Sequence, residues 1–80
     1  MNFSDALTAL KSGATVTRHG WNGRNMWLTL ADGGTFKDIE GYVQGDLEPF
    51  IVMRTAQATF VPWLASQTDL LADDWEEVAR

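Results

Sequence analysis

The chain has 80 residues, of which 45% are hydrophobic, and it carries no cysteine and a formal net charge of −5. This length fits one compact domain, while the lack of cysteine excludes disulfides and cysteine-based structural zinc sites. The acidic balance argues against binding of nucleic acid polymers, which takes most of its affinity from lysine and arginine on phosphates.

The first predicted element is an N-terminal helix. Its apolar positions recur at the spacing of one helix face: Phe3, Ala6, Leu7 and Leu10. Asn2 is a suitable N-cap, and Gly13 supplies the left-handed residue that ends a helix.

About five strands are predicted after this helix. Short β-branched or alternating runs mark them, at residues 14–18, 25–31, 49–55, 58–64 and 75–79. The segment from Thr35 to Leu47 has a poor pattern and is predicted as a loop with a short helix or strand. Pro62 restricts its strand to a sheet edge or a bulge. The runs at 49–55 and 58–64 suggest a hairpin.

A short helix is predicted between the last two strands. Ser66 with Asp69 three residues later resembles a capping arrangement, which favours one or two helical turns over residues 67–72. The expected fold class is α+β, with an N-terminal helix packed on a mainly antiparallel sheet and a short helix before the last strand.

The sequence lacks the side-chain groups that enzymes commonly use for nucleophilic catalysis. There is no thiol, and a lone His19 beside a glycine is more typical of a surface residue than of a general base. The carboxylates of Asp73, Asp74, Glu76 and Glu77 could serve acid–base chemistry or a metal, but adjacent residues point apart on a strand. We therefore expect a solvated acidic segment, no catalytic residue, no metal and no cofactor.

Four tryptophans exceed what a core of this size requires. Trp27 and Trp63 lie within strand patterns and are interpreted as core residues. Trp21 stands in a turn, where stacking on a ligand and packing on the sheet are both open. Trp75 opens the last strand, and core and ligand roles are equally open for it.

The turn that follows the first strand has the groups that suit a nucleotide. An aromatic ring stacks on a base, amides read its edge, and a guanidinium pairs with phosphate. Trp21, Asn22, Arg24 and Asn25 supply all three within five residues.

Five segments together carry a resemblance that spans nearly the whole chain. They are Asn-Phe-Ser-Asp-Ala-Leu at 2–7, Arg-His-Gly-Trp-Asn-Gly at 18–23, Phe-Ile-Val-Met-Arg-Thr at 50–55, Val-Pro-Trp-Leu-Ala-Ser-Gln-Thr-Asp-Leu-Leu-Ala at 61–72, and Asp-Trp at 74–75. With these motifs the sequence resembles the phage Thoeris anti-defence 2 family.

The resemblance implies a phage or prophage protein that acts as a sponge. Because the sequence shows no signal peptide and no long apolar run, we expect it in the cytoplasm of the infected bacterium, without a membrane partner. Members of that family form homotetramers that bind cyclic ADP-ribose isomers without cleaving them. Some members also sequester the cyclic dinucleotides of CBASS immunity at a separate site. A homo-oligomer is expected independently, because such small domains are marginally stable alone.

The resemblance also implies a set of ligand-binding positions. Trp21, Asn22 and Gly23 match the family's turn, and five residues match its C-terminal motif: Ser66, Gln67, Asp69, Asp74 and Trp75. The sequence departs from many relatives between Gly34 and Glu48, where they carry a longer insertion. Two alternatives stay open, a nucleotide-cleaving enzyme that uses the Asp73–Asp74 region and an inhibitor that binds a host protein.

Overall fold

A computed structural model describes residues 1–21 and 25–78 of the chain. Within those ranges the elements in chain order are α1 (Phe3–Lys11), β1 (Thr15–Arg18), β2 (Trp27–Ala31), β3 (Gly34–Lys37), β4 (Gln44–Leu47), β5 (Phe50–Arg54), β6 (Phe60–Pro62), α2 (Gln67–Leu71) and β7 (Trp75–Val78). The predicted α+β class is confirmed, with α1 on an antiparallel sheet and α2 directly before the last strand.

Helix α1 begins and ends as the sequence predicts. The Asn2 side chain accepts a hydrogen bond from the Asp5 N–H at 2.9 Å, which satisfies one of the free donors of the first turn. Gly13 follows the helix with φ +97°, in the left-handed region that glycine enters without steric penalty.

The main sheet has five strands in the order β6-β5-β2-β1-β7, and every neighbouring pair is antiparallel. Pro62 lies in the edge strand β6, as predicted, where a missing N–H leaves no bond of the sheet unmade. Strands β5 and β6 form the predicted hairpin. Its turn places Ala58 at φ +64°, a conformation that non-glycine residues rarely adopt.

Strands β3 and β4 form a second, separate two-stranded sheet. The prediction of a loop with one short element was incomplete here, because alternation is weak in a hairpin whose residues are nearly all exposed. The tip includes Ile39 and Tyr42, both highly exposed. At the base, Gly33 has φ +90°, and a Cβ there would collide with the Leu47 carbonyl oxygen.

The core lies between the main sheet and the helices. Its buried residues come from α1, β1, β2 and β7: Ala6, Ala9, Leu10, Val16, Leu28 and Trp75. We call the side of the sheet that carries Val16, Leu28 and Trp75 the inner face. Strand alternation puts their sequence neighbours on the opposite side, the outer face. Helix α1 packs against β1, β2 and β7 on the inner face.

The described residues include no helix with the length and apolar character needed to cross a membrane.

Candidate functional site

One arginine ties the end of β1 to the C-terminal third of the chain. The Arg18 Nε donates to Asp74 Oδ1 at 2.8 Å, and its Nη1 donates to Asp69 Oδ1 at 2.8 Å. We call these three residues the Arg18 clasp. Only 16% of the Arg18 side chain is exposed, so the pairing is better shielded from solvent than an ordinary surface ion pair.

The clasp also holds the turn that carries Trp21. The Trp21 Nε1–H donates to Asp69 Oδ1 at 3.2 Å, and the Gly20 N–H donates to Asp74 Oδ2 at 2.9 Å. A Cβ on Gly20 would stand only 2.9 Å from that same Asp74 oxygen, so a larger residue here would displace the Asp74 carboxylate. The turn is therefore fixed by both aspartates.

Electrostatics in the clasp favour the charged form of every member. Hydrogen bonds to Asp74 and Asp69 raise the pKa of Arg18. For Asp69, burial raises the pKa, but hydrogen bonds from Arg18, Trp21 and Ser66 outweigh it and the net pKa is lowered. The hydrogen bond from Arg18 lowers the pKa of Asp74 against a smaller opposing effect of desolvation.

A cavity of about 350 Å³ opens beside this turn on the outer face of the sheet. Its lining comes from β1, β2, β7 and the segment between β1 and β2: Thr17, Arg18, His19, Trp21, Asn25, Met26, Trp27, Glu76 and Val78. This volume lies near the lower end of the ~300–1,000 Å³ that is typical of small-molecule sites.

The cavity offers an aromatic surface and acceptors but little positive charge. Trp27 is half-buried and can present its ring to a planar base. The Glu76 carboxylate can accept hydrogen bonds from sugar hydroxyls. Arg18 also lines the cavity, yet its guanidinium is already engaged by two carboxylates. The described lining therefore suits the base and sugar of a nucleotide better than its phosphates.

The cavity brings together only part of the predicted site. Trp21 and Asn25 line it, while Asn22, Gly23 and Arg24 lie outside the described residues. The C-terminal motif residues are absent from the described lining.

The C-terminal motif has a structural role in the described chain. Ser66 caps α2 by accepting the Asp69 N–H at 3.1 Å, and Gln67 is an exposed residue that begins this helix. Asp69 and Asp74 belong to the clasp. In the described chain the motif thus supports the turn that carries Trp21, and the ligand contact that the resemblance implies for these residues stays a prediction.

The four tryptophans divide differently from the prediction. Trp75 is 1% exposed and packs edge-on against Trp21 and Trp63, with ring centroids 5.3 and 6.0 Å away, so the core alternative holds for it. Trp63 packs against the core as predicted. The core assignment of Trp27 was wrong, because it lies on the outer face, 5.8 Å from the Phe60 ring. The inner positions of β2 belong to its leucines.

Sequence reasoning missed five lining residues that carry polar or aromatic groups: Thr17, Arg18, His19, Trp27 and Glu76. Their common feature is a position on the outer face or at its end. Alternation alone places Trp27 opposite the leucines of β2, but only the pairing of Thr17 with Glu76 shows that β1 and β7 share the site.

Among residues 1–21 and 25–78, no group of three or more histidine, aspartate or glutamate side chains is arranged to hold a metal ion.

Comparison with known proteins gives two matches. The family model of the Thoeris anti-defense 2-like domain matches residues 1–78. The chain is also similar to Thoeris anti-defense 2 of Bacillus phage SP01, with 40% identity over 85 aligned residues that cover 99% of this chain and 96% of the relative.

Proposed function

This chain belongs to the Thoeris anti-defense 2-like family and is therefore an anti-defence protein, and we propose that it acts by sequestering a small cyclic nucleotide signal. The ligand class is a cyclic ADP-ribose isomer, bound without cleavage in the cytoplasm of the infected bacterium. The working form is a homo-oligomer, with four chains as the expected number.

The observation that carries this proposal is the cavity beside the Trp21 turn. It joins an aromatic ring, Trp27, to a carboxylate, Glu76, which are the groups needed to stack a base and to accept hydrogen bonds from a ribose. Cyclic dinucleotides also carry a base and a ribose, so they are included in the same binding test.

Sequestration is favoured over cleavage by the state of the carboxylates near the site. Asp69 and Asp74 are paired with Arg18, and their lowered pKa makes each a weaker general base than an ordinary carboxylate. A sponge must also bind tightly. Silencing a nanomolar to micromolar signal needs a Kd of about 1 nM, which corresponds to about −12 kcal/mol.

The test of sequestration is recovery of the ligand. The protein is mixed with a several-fold excess of a Thoeris-derived cyclic ADP-ribose isomer, the protein is removed by heating, and the nucleotide is analysed by chromatography. We expect the intact isomer. A hydrolysed product, formed in excess over protein, would establish the nucleotide-cleaving alternative instead.

The contribution of Trp27 can be measured in the same system. Loss of one base-stacking ring removes about 1–3 kcal/mol, so Trp27→Ala should weaken binding about 5- to 150-fold in calorimetric titration. Tyr42→Ala is the matched control, since it removes an exposed aromatic residue from the separate β3–β4 hairpin. Equal nucleotide affinities of the Trp27 variant and the wild type would show that the nucleotide binds at a different site.

A host-protein inhibitor is the second candidate, and the tip of the β3–β4 hairpin favours it. Ile39, Tyr42 and Val43 expose apolar surface there, and aromatic residues are common anchors of protein interfaces. This alternative predicts a specific host partner that the Ile39→Asp variant no longer captures, together with no thermal shift on addition of any cyclic nucleotide.

A further inference from the structure

The β3–β4 hairpin holds most of the negative charge of the chain. Residues 32–48, which we call the arm, include one basic residue, Lys37, and five acidic residues: Asp32, Asp38, Glu40, Asp46 and Glu48. The arm therefore has a formal charge of −4, and the whole chain has −5. All five acidic residues are exposed, and none forms an ion pair with another described residue.

One face of the arm is apolar. Phe36 is the register partner of Gly45, and alternation along β4 and the residue before it puts Leu47 and Val43 on the same face. The Phe36 ring lies close over Gly45, where an added Cβ would stand 3.3 Å from a ring carbon. The opposite face of the two strands holds polar side chains: Thr35, Lys37, Gln44 and Asp46. The hairpin is therefore amphipathic, which is typical of strands that pack one face against another surface.

The apolar face of the arm is open to solvent. Phe36, Val43 and Leu47 are 38%, 55% and 42% exposed, and none of them belongs to the core or packs against it. At the tip, Ile39 and Tyr42 are more exposed still. A two-stranded hairpin is marginally stable unless such a face is covered, and exposed apolar residues that lie together mark interaction sites.

Charge discriminates among the molecules that could cover this face. Two arms packed together would bring two sets of carboxylates into contact, which is unfavourable. The rest of the chain holds only −1 of the total −5 and has no excess of positive charge to attract an arm. Nucleic acids and the cytoplasmic membrane surface are themselves negative. The complement of the arm is therefore a positively charged protein surface.

We infer that the arm docks on a basic protein. Phe36, Val43 and Leu47 enter an apolar groove of that protein, and the five carboxylates lie opposite lysine and arginine side chains on its rim. Cationic side chains beside apolar or aromatic ones are typical of proteins that bind nucleic acids, so the partner belongs to this class, with the arm in place of its polyanion. None of the described cavity-lining residues lies in the arm, so this contact is separate from the sequestration of a nucleotide.

A peptide of the stated chemistry tests the surface. A short fluorescent peptide of alternating lysine and valine is titrated with the full chain at moderate salt, and binding is followed by anisotropy. We expect this peptide to bind about tenfold more tightly than a lysine–serine peptide of the same charge, because only valine can fill the apolar contact. Equal affinities for the two peptides, or no binding of the lysine–valine peptide, would overturn the inference.

Two double variants separate the arm from the overall charge. Glu40→Lys with Glu48→Lys changes the arm, and Asp73→Lys with Glu77→Lys makes the same change of net charge at exposed positions outside it. We expect the arm variant to bind the lysine–valine peptide about tenfold more weakly than wild type, and the other variant to stay within about twofold of wild type. Equal losses in the two variants would reduce the effect to net charge and overturn the inference.

The apolar contact is tested by Phe36→Ser, which should weaken binding of the lysine–valine peptide about tenfold. Leu71→Ser is the matched control, since Leu71 is an exposed apolar residue on α2, outside the arm. Circular dichroism establishes that each variant is folded. A folded Phe36→Ser variant with the affinity of wild type would contradict the docking of the apolar face.

Photo-cross-linking in infected bacteria identifies the occupant. The photoreactive substitution Tyr42→benzoylphenylalanine is made in the full chain, and the cross-linked protein is identified by mass spectrometry and then purified. We expect a basic protein that binds the Glu40→Lys, Glu48→Lys variant about tenfold more weakly than wild type. A cross-link to a second copy of this chain, or to a protein that does not distinguish the two, would overturn the inference.

Calorimetry with a cyclic ADP-ribose isomer keeps this result distinct from the proposed function. The arm variants should bind the nucleotide as wild type does. A wild type that binds the lysine–valine peptide but no nucleotide contradicts the function alone. A wild type that binds the nucleotide but not the peptide contradicts the docking of the arm alone.

Discussion

Arg18 is the residue through which the first strand and the last third of the chain are joined at the site. Its two carboxylate partners are 51 and 56 residues away in sequence, and each also receives a hydrogen bond from the turn. The strength of this junction is therefore set by the ionisation of Asp69 and Asp74.

Acidification should lower the free energy of unfolding, because it protonates the carboxyls of Asp69 and Asp74. Both have a pKa that is lowered in the folded state, so their contribution to stability is fully present above the unfolded value of about 3.9 and is lost as pH falls through the folded pKa. We expect the free energy of unfolding, measured with urea, to fall between about pH 5 and pH 2.

The Asp69→Asn, Asp74→Asn double variant is the comparison for this experiment. It should be less stable than wild type near neutral pH and should show a shallower pH dependence in the acid range. Identical slopes for the two proteins would mean that other carboxyls govern the acid transition.

Individual residues also mark the limit of what the sequence predicts. The caps of both helices were predicted correctly, because Asn2 and Ser66 act on backbone N–H groups three residues away. The functions of Asp69 and Trp27 depend on distant strands. Neither the partner of a carboxylate nor the exposed side of a sheet can be deduced from nearby sequence.

The β5–β6 hairpin illustrates the same limit at the scale of an element. The residue pattern predicts the hairpin, and Pro62 predicts the edge position of β6. Neither predicts that a turn residue adopts a strained backbone conformation. Ala58 at φ +64° closes the turn with its N–H bonded to the Thr55 carbonyl oxygen at 3.0 Å.

Glycine at position 58 should stabilise this hairpin. A left-handed alanine costs about 1–2 kcal/mol, and only part of this gain is offset by the greater flexibility of glycine in the unfolded chain. We expect Ala58→Gly to raise the free energy of unfolding by roughly 0.5–1 kcal/mol in urea titration. Ala56→Gly, at an exposed position of the same loop, should not stabilise.

The β3–β4 hairpin is an insertion between two strands that already pair with each other. Ala31 at the end of β2 is the register partner of Phe50 at the start of β5, so a two-residue turn could connect them directly. None of the described cavity-lining residues belongs to this hairpin.

Replacement of residues 32–49 by Asn-Gly should therefore preserve both the fold and the cavity. We expect the free energy of unfolding to stay within about 1 kcal/mol of wild type and nucleotide affinity to remain unchanged. Loss of nucleotide binding in a folded variant would show that the hairpin contributes a wall of the site, through its own chain or a neighbouring one.

The net charge of the whole molecule is compatible with the proposed binding of a small nucleotide and argues against binding of a nucleic acid polymer. With a net charge of −5, the surface repels a polymer of phosphates, while a single pocket needs only one local cation for a small anion. Fluorescence anisotropy with labelled single-stranded DNA should show no binding at moderate salt. Binding that weakens steeply with salt would contradict this assignment.

The position of β1 between β2 and β7 has a consequence for biosynthesis. Thr17 and Glu76 lie side by side on paired strands in the cavity lining, and the clasp that fixes the turn needs Asp69 and Asp74. While the ribosome is still adding the C-terminal segment, the nascent chain can form α1 and the β1–β2–β5–β6 part of the sheet, but it cannot complete the cavity. A prematurely terminated product without β7 would lack this cavity, and with it the nucleotide binding that we propose.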